Sequence, residues 1–489
     1  MKVLLVAIGT RGDVQPMAVL GQALRARGHE VTLAAPPDQQ GVADHYAVPF
    51  VACGRDVTAW VAGLDVTNTS TAATLRELKS HFGAEVAAQL PILVELARGG
   101  GSGVPVDVVV GAALTPWVET VCELSGAVGA YAYYSPGLVR SRRYTPVGIP
   151  LQGLPGPINL ALYTLGLRFI DSTLVPLLTG PRAAFGLPPA TRFAGTLADD
   201  VLFCWDPALA DLPDDFVPWL QTRGRTCRAH AVGSLQPARI GQDGHLDDEV
   251  RAFVAPGNAV YVGFGSMPQR SFEALLTLVQ DACTRAQVRA VLLGARHKQV
   301  GDVLVVPQVD HGALFPLLLA VAHHGGAGTT AAAARAGVPQ VVVPHFVDQP
   351  LWAHCLQQRG LAAGVTRRRA LDAVCLGRAF LRARDDVELR RRAQAMAEVL
   401  AATDPIQAAV DVVLQLGARR RMTATTTATT TATTTATTTA TTTATTTATT
   451  TATKTATTTA TKTATTTATT TATTTATTTA TTTATKTAT

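Results

Sequence analysis

The sequence predicts an α/β protein of two doubly wound, parallel-sheet domains that face a cleft, followed by a disordered tail. Short apolar runs alternate with helical patterns, and this alternation restarts after a polar stretch at Pro237–Asp248. From Met422 onward the chain is almost wholly Thr and Ala. Alternation of this kind indicates parallel sheets with helices on both faces. The expected limits are residues 1–236 and 249–421 for the two domains, 237–248 for the linker and 422–489 for the tail.

The first domain opens with a β-α-β pattern. Lys2–Ile8 is an apolar run typical of a buried strand, and Gly9–Gln15 is a polar turn. Pro16 suits the first turn of a helix that runs to Arg27. Further strands are expected at Val31–Ala35, Asp107–Gly111, Ala127–Tyr131 and Val201–Trp205.

The second domain repeats the pattern. Strands are expected at Ala259–Phe264, Arg289–Leu293, Val303–Val306, Val321–His324 and Gln340–Val343, and helices at Ser271–Arg285 and Thr329–Arg335. The charged helical stretch Leu371–Leu416 breaks near Pro405, and we expect its last helix to cross back onto the first domain. Ligands of such sheets bind beyond the carboxyl ends of the strands.

The tail repeats Thr-Ala-Thr-Thr and holds no apolar residue larger than Ala after Met422. Such a segment cannot offset the entropy of an ordered chain, so we expect disorder. Our interpretation of its regularity is a tandem repeat in the coding DNA. A selected linker or an adhesive tail is the alternative.

Charge and composition exclude several classes of protein. The net charge is +6, but the arginines form short clusters without aromatic partners, which disfavours nucleic-acid binding and favours attraction of an anionic ligand. The seven cysteines are scattered and form no Cys-x-x-Cys, which indicates a reducing cytoplasm and disfavours structural zinc.

The sequence also indicates whether the chain carries a signal peptide or a transmembrane segment. Met1-Lys2 leads straight into a strand pattern, without a separate signal peptide. The apolar stretch Leu154–Leu178 is interrupted by prolines and by Arg168 and Asp171, so we expect no transmembrane segment. A peripheral membrane contact is left open.

The most informative motif is the Gly-rich run from His323 to Thr330, which follows a strand and precedes a helix. Glycines let the backbone approach a ligand, and a helix start offers unpaired N–H groups to an anion. Thr329 and Thr330 add hydroxyls, and His323 can donate to a phosphate oxygen. The run therefore fits a diphosphate, and a simple turn between strand and helix is the alternative. Neither a dinucleotide fingerprint nor a Walker motif occurs.

Two further segments follow strands. Asp348 and Gln349 can hydrogen-bond sugar hydroxyls, although Asp348 could instead cap the helix that opens at Pro350. The run Gly9–Pro16 brings Arg11 and Asp13 to the edge of the cleft. The alternative is that Asp13 caps a helix and pairs with Arg11.

Together these motifs resemble family 1 of the glycosyltransferases with the B-fold, and they look closest to bacterial natural-product and sterol glycosyltransferases. The resemblance covers essentially residues 1–416 and is strongest in four segments: Gly9–Pro16, Val262–Met267, His323–Thr330 and Gly337–Gln349. It implies a hexosyltransferase that moves a sugar with inversion, and without a metal or other cofactor, from a UDP- or TDP-sugar to a hydrophobic acceptor.

The resemblance also implies roles for single residues. Asp13 would be the general base, with Thr10, Arg11 and Gly12 near the cleft. The remaining positions would bind the donor: Ser266, His323, Gly326, Gly328 and Thr329 its diphosphate, Val309 its base, and Asp348 and Gln349 its sugar. Two positions depart from relatives: Val305 stands where plant members have a Trp, and Leu317 where bacterial members often have an Arg.

The acceptor is the least defined part. The apolar segment Tyr131–Leu178 suits a sterol, macrolide or polyketide, and its large side chains are lining or ordinary core: Tyr133, Tyr134, Tyr144, Leu151, Leu154, Leu162 and Phe169. Two other functions are weighed, a nucleotide-sugar epimerase and a nucleotide-sugar-binding protein without catalysis. The expected oligomeric state is a monomer or a dimer.

Overall fold

The computed structural model describes residues 1–57, 71–100, 103–113, 115, 117–191, 199–222, 226–236, 246–264 and 272–422, with the backbone alone for residues 71–78. The chain divides into two compact units, Met1–Ala418 and Arg419–Thr489. Most of the predicted linker, Ser266, and the tail from residue 423 lie outside the described residues.

The first sheet confirms the predicted fold class. Its seven strands are all parallel and lie in the order β3-β2-β1-β4-β5-β6-β7. They are β1 (Lys2–Val6), β2 (Glu30–Ala35), β3 (Phe50–Ala52), β4 (Val108–Ala112), β5 (Val128–Tyr133), β6 (Asp200–Phe203) and β7 (Arg228–Ala231). The order reverses between β1 and β4, so the ligand-binding edge of this sheet lies where these two strands end.

The second sheet has the order β10-β11-β9-β8-β12-β13-β14, in which the short β10 alone is antiparallel. Its strands are β8 (Ala259–Gly263), β9 (Arg289–Leu293), β10 (Lys298–Val300), β11 (Val303–Val306), β12 (Ala320–His323), β13 (Gln340–Val342) and β14 (Ala362–Val365). Here the order reverses between β8 and β12, directly before the Gly-rich run.

Helices cover the sheets. In the first domain they are α1 (Arg11–Ala26), α2 (Gln40–His45), α3 (Thr71–Ala97), α4 (Val118–Ser125), α5 (Gly156–Ala183) and α6 (Phe216–Gln221). In the second they are α7 (Asp248–Val254), α8 (Phe272–Ala286), α9 (His311–Leu314), α10 (Ala327–Arg335), α11 (Gln349–Gln358), α12 (Ala373–Asp385) and α13 (Val387–Ala401). A final helix, α14, begins at residue 405.

Three helices differ from the sequence-based expectation. Helix α1 begins at Arg11, so Pro16 lies inside it, because Thr10 and Asp13 already cap the first turn. Helix α5 runs unbroken through Pro176. The closing helical stretch has an additional break at Asp386, whose carboxylate accepts the N–H of Leu389 and so starts a new helix.

The described part of α14 packs on the first sheet. Ala409, Val410, Val413 and Leu416 are buried among the side chains of β1, β2 and α1. The chain thus returns to its first domain after it completes the second. The expected limits of the domains themselves stay predictions.

A buried ion pair joins the end of α10 to the loop after β6. Arg335, at the end of α10, donates to Asp206 after β6 at 2.8 Å, and the Asp206 side chain is only 3% exposed. Burial raises the pKa of Asp206, and the Arg335 guanidinium lowers it.

Replacing Arg335 with Met should destabilise the protein by about 3 kcal/mol, because it leaves a buried carboxylate without its partner. Urea unfolding at pH 8 measures this loss. Arg391→Met is the matched control, since the pair of Arg391 with Glu388 lies on the surface. Equal unfolding midpoints for the two variants would show that the buried ion pair stabilises the fold no more than the exposed pair does.

Candidate functional site

The reversal points of the two sheets bring the sequence motifs to a cleft. The loop after β1 leads into Thr10 and Asp13, and the loop after β12 leads into the Gly-rich run. The turn between β13 and α11 carries Asp348. Parallel strands place these turns at the carboxyl edges of their sheets, where ligands of doubly wound domains bind.

Asp13 lies in the first turn of α1 and is half-buried. Its Oδ2 accepts the backbone N–H of Thr10 at 3.1 Å, so the carboxylate caps the helix. The hydroxyl of Tyr134 donates to the Asp13 carbonyl oxygen at 3.3 Å, which fixes this turn against β5. Arg11 instead donates to Gln15, so the expected alternative of a pair between Arg11 and Asp13 does not describe this geometry.

Asp348 approaches the same place from the second domain. Its Oδ2 accepts the indole N–H of Trp352 at 3.0 Å. Burial raises the pKa of Asp348 to about 6. Burial also raises the pKa of Asp13 to about 7, with the negative charge of Asp348 as the second cause. The two carboxylates therefore lie close enough across the domains for one to act on the other.

The Gly-rich run offers an open helix start. Gly326 is the N-cap of α10, and Thr330 N–H makes a backbone bond back to the Gly326 oxygen at 2.9 Å. The N–H groups of Ala327, Gly328 and Thr329 precede that bond and have no acceptor within the helix. Thr329 is partly exposed, whereas Thr330 is fully buried and its hydroxyl cannot serve a ligand as expected.

His323 orders the Gly-rich loop instead of donating to a phosphate as expected. Its ring is fully buried, its Nδ1 accepts the N–H of Gly325 at 3.1 Å, and its Nε2 pairs with Gln340 Oε1 at 2.8 Å. This pairing assigns the proton to Nε2. Burial lowers the pKa of His323 to about 3, which keeps the ring neutral. Because both nitrogens are occupied, His323 holds the loop through Gly325 and does not itself donate to a phosphate.

Two substitutions of His323 separate these roles. The side-chain amide in His323→Asn places an oxygen near the position of Nδ1, so this variant should retain most of the affinity for a nucleoside diphosphate. His323→Leu leaves the buried Gly325 N–H without an acceptor and should weaken binding about tenfold. Calorimetric titration with UDP and TDP measures both. An equal loss of affinity in the two variants would indicate that His323 contacts the nucleotide directly.

The loop before α11 differs in part from expectation. Gln349 is 5% exposed, and its Oε1 accepts the N–H groups of His345 at 2.8 Å and Phe346 at 3.2 Å. That oxygen shapes the loop and is not directed to a sugar. Val347 has a φ of 60°, unusual for a β-branched residue, and its carbonyl accepts the N–H of Gly148 from the first domain at 3.0 Å. Asp348 therefore sits in a loop that both domains hold.

The other expected residues take these positions. Thr10, Arg11 and Gly12 form the start of α1, with Arg11 and Gly12 exposed. Val309 is partly buried at the carboxyl edge of the second sheet, after β11. Among the described residues, no group of three His, Cys, Asp or Glu side chains is arranged to hold a metal ion.

A cavity of about 230 Å³ lies at the carboxyl ends of β8 and β9. It is lined by Gly263, Phe264, Phe272, Leu275, Leu292, Leu293 and Gly294. The cavity adjoins the edge on which Val309 and the Gly-rich run lie.

Four residues of the site have roles that the sequence did not predict: Gly9, Gln236, His324 and Trp352. A Cβ on Gly9 would clash with Asp13 Oδ2, so this position requires glycine, and its φ of 113° agrees. The amide nitrogen of Gln236 lies 3.3 Å from the position of a Cβ on Gly328. The buried Nδ1 of His324 has no partner in the described part of the chain. No sequence motif marked Gln236 or Trp352.

The apolar segment of the first domain divides into core and surface. Tyr133 and Tyr144 are buried in the main core, so they are not acceptor-lining residues. Tyr134 lies beside Asp13, and Leu151 and Phe169 are exposed.

The chain is similar in sequence to known glycosyltransferases. Residues 3–89 match the glycosyltransferase family 28 N-terminal domain, and residues 293–416 match the C-terminal domain of proteins like erythromycin biosynthesis protein CIII. An uncharacterised glycosyltransferase of Mycobacterium leprae is 30% identical over 76% of this chain and 88% of its own. The glycosyltransferase GtfE of Amycolatopsis orientalis is 32% identical over 74% and 85%. The vancomycin aglycone glucosyltransferase of the same organism is 29% identical over 74% and 85%.

Solved structures agree on the fold. The kitacinnamycin glycosyltransferase superposes with a TM-score of 0.62 at 17% identity and covers 85% of this chain and 98% of its own. The Streptomyces glycosyltransferase SsfS6, in complex with thymidine diphosphate, superposes with a TM-score of 0.57 at 20% identity over 85% and 99%.

Proposed function

The chain belongs to the B-fold glycosyltransferases of family 1 and is a hexosyltransferase, and we propose that it transfers a hexose with inversion from a UDP- or TDP-sugar to a hydroxyl of a hydrophobic small molecule. The names of two relatives support the donor and acceptor classes. One relative glucosylates the vancomycin aglycone, and one structural neighbour holds thymidine diphosphate. We also propose that no cofactor takes part and that the enzyme works in the cytoplasm.

The observation that carries the proposal is the placement of Asp13 at the carboxyl edge of the first sheet, and of Asp348 and the open start of α10 at the carboxyl edge of the second. One domain supplies a carboxylate whose pKa is raised to about 7, and the other supplies a helix end suited to a diphosphate. A base and an anion site from opposite domains are the two parts that transfer from a nucleotide-sugar requires.

In the proposed reaction the acceptor oxygen attacks the anomeric carbon as the bond from that carbon to the phosphate oxygen breaks. The acceptor proton passes to Asp13, and the nucleoside diphosphate leaves with the bonding electrons. Negative charge grows on the β-phosphate, where the N–H groups of Ala327, Gly328 and Thr329 would stabilise it. A single displacement of this kind inverts the anomeric centre.

The donor would lie along the carboxyl edge of the second sheet. Its diphosphate would contact the loop from Gly326 to Thr329, which His323 holds in place through Gly325. Its base would lie against Val309 and the adjacent cavity, and its sugar would reach Asp348. The Trp352 N–H fixes one oxygen of Asp348, so the other oxygen would be left to accept from a sugar hydroxyl.

The experiment that tests the proposal follows both substrates. The purified full chain is incubated with UDP-glucose or TDP-glucose and a panel of sterols, macrolides and polyketides, and mass spectrometry detects the added hexose. We expect release of nucleoside diphosphate that depends on the acceptor. Conversion of the nucleotide-sugar without acceptor would indicate an epimerase. Donor that binds but stays unaltered with the whole panel would indicate a binding protein.

A further inference from the structure

A side-chain amide from the end of the first domain lies against the start of α10. It belongs to Gln236, the last residue before the expected linker. Its Nε2 lies 3.3 Å from the position that a Cβ on Gly328 would take. Because the Cα–Cβ direction in a helix tilts toward the N-terminus, the amide lies beside the open first turn. No step of the proposed transfer assigns a role to Gln236.

The segment that carries Gln236 is held along α10. Its Gly233 packs on Asp206, since a Cβ on Gly233 would lie 3.0 Å from Asp206 Oδ1. The same oxygen accepts from Arg335 at the far end of α10. Leu235 is 2% exposed and packs in the core of the first domain among residues of β1 and α14. The fold therefore sets the position of Gln236 at the other end of the helix.

The Gln236 amide is a hydrogen-bond donor without an acceptor. Its nitrogen makes no hydrogen bond within the part of the chain that the structure describes, and the residue is partly exposed. The backbone N–H groups of Ala327, Gly328 and Thr329 likewise have no acceptor within the helix. Donors that lie this close repel one another unless an anion lies between them. The arrangement therefore fits an anionic ligand that the amide and the helix start share.

A second side chain at the same turn indicates the size of the anion. The Nε2 of His324 lies 2.6 Å from the position of a Cβ on Gly326, and its buried Nδ1 has no partner in the described part of the chain. Burial lowers the pKa of His324 to about 4, so the ring is neutral and can donate one hydrogen. Together with Gln236 and the backbone N–H groups, these donors outnumber the two oxygens of a carboxylate and match the several terminal oxygens of a diphosphate.

We propose that Gln236 binds the diphosphate of the donor, with its Nε2 donating to a phosphate oxygen beside Gly328. This inference rests on the proposed function and adds to it a ligand from the connection between the domains. A bound diphosphate selects the nitrogen of the amide as the end that faces it, since the amide oxygen accepts and cannot donate. Donor binding then involves the chain that leaves the first domain as well as the loops of the second sheet.

Calorimetric titration of the full chain with UDP and TDP tests the proposal. Gln236→Met keeps the length of the side chain but removes the donor, and it should weaken binding about tenfold, as expected for a hydrogen bond to a charged group. Gln236→Glu should weaken binding at least as much, because it brings a negative charge to the diphosphate. The same charge suits a helix start, so Gln236→Glu should unfold at a temperature no lower than that of the parent. Gln358→Glu, at an exposed site at the far end of α11, is the matched control and should bind as the parent does.

Titration with uridine and thymidine separates a phosphate contact from a general effect on the site. These nucleosides lack the diphosphate, so the parent and all variants should bind them equally. Equal affinities of the parent and both Gln236 variants for UDP and TDP would overturn this inference and leave the proposed function intact. A parent that binds neither nucleotide would overturn both. Lower unfolding temperatures in both Gln236 variants, with weaker binding of the nucleosides as well, would assign Gln236 a packing role and would also overturn the inference.

Discussion

Asp13→Asn should lower kcat by about 10²–10⁴-fold while the affinity for the nucleotide-sugar stays nearly unchanged. The amide has the shape of the carboxyl group and its oxygen can still accept the Thr10 N–H, so the start of α1 should keep its geometry. What the variant loses is a group that can take the acceptor proton. Initial rates of nucleoside diphosphate release at pH 8, with calorimetric titration of the donor, measure the two quantities.

The same substitution should make the protein more stable at pH 8. Burial raises the pKa of Asp13 from 3.8 to about 7 in the folded chain, so the folded state binds this proton more tightly than the unfolded state does. The ionised form therefore costs stability as the pH rises from about 4 to 7, and Asn removes that cost. A variant that is both inactive and less stable would indicate a structural role for Asp13. Glu398→Gln, an exposed site, is the control for both measurements.

The pH dependence of kcat/KM should report the ionisation of Asp13. Asp13 acts as a base only when it has lost its proton, so kcat/KM should rise through an apparent pKa near 7 and level off above pH 8. At pH 5 the value should be about a hundredfold below the plateau. Asp348, with a pKa raised to about 6, titrates in the same range, so the pair shapes the acidic limb together.

The variant Asp348→Asn tests whether the charge of Asp348 raises the pKa of Asp13. Removing the charge of Asp348 lowers the pKa of Asp13, so the acidic limb should move to lower pH, while burial keeps that pKa above 3.8. The plateau should fall as well, because Asp348 is expected to hold the donor sugar. Rate profiles of the parent, Asp348→Asn and Glu398→Gln give the comparison. An acidic limb that stays in place in Asp348→Asn would show that the two carboxylates do not interact.

The fold followed from the sequence because its strands are continuous apolar runs between turn residues. Runs such as Lys2–Val6 and Val303–Val306 are buried on both faces and have no competing interpretation. The start of α1 was misplaced, because the cap formed by Thr10 and Asp13 begins the helix five residues before Pro16. Propensity placed the proline at a helix start, but the cap and the hydrogen bond from the Tyr134 hydroxyl to the Asp13 carbonyl hold the longer helix.

The sequence predicted where the site lies but not how its side chains are oriented. Motif spacing puts Asp13, the Gly-rich run and Asp348 at the carboxyl edges of the sheets, because parallel strands end together. Spacing does not say which way a side chain turns. His323 and Gln349 turn inward because they accept the N–H groups of Gly325, which is buried, and Phe346, which is partly buried, and no linear pattern shows that requirement. Trp352 and Gln236 acquire their positions only through the fold.

The anomeric configuration of the product shows whether the sugar is transferred by a single displacement. The parent protein, an α-linked glucose donor and an acceptor from the panel give a glucoside whose anomeric proton coupling is read by NMR. Single displacement at a base-assisted hydroxyl predicts a β-glucoside as the sole product. An α-glucoside would rule out a single displacement, because retention requires a different path from the one proposed for Asp13 and the start of α10.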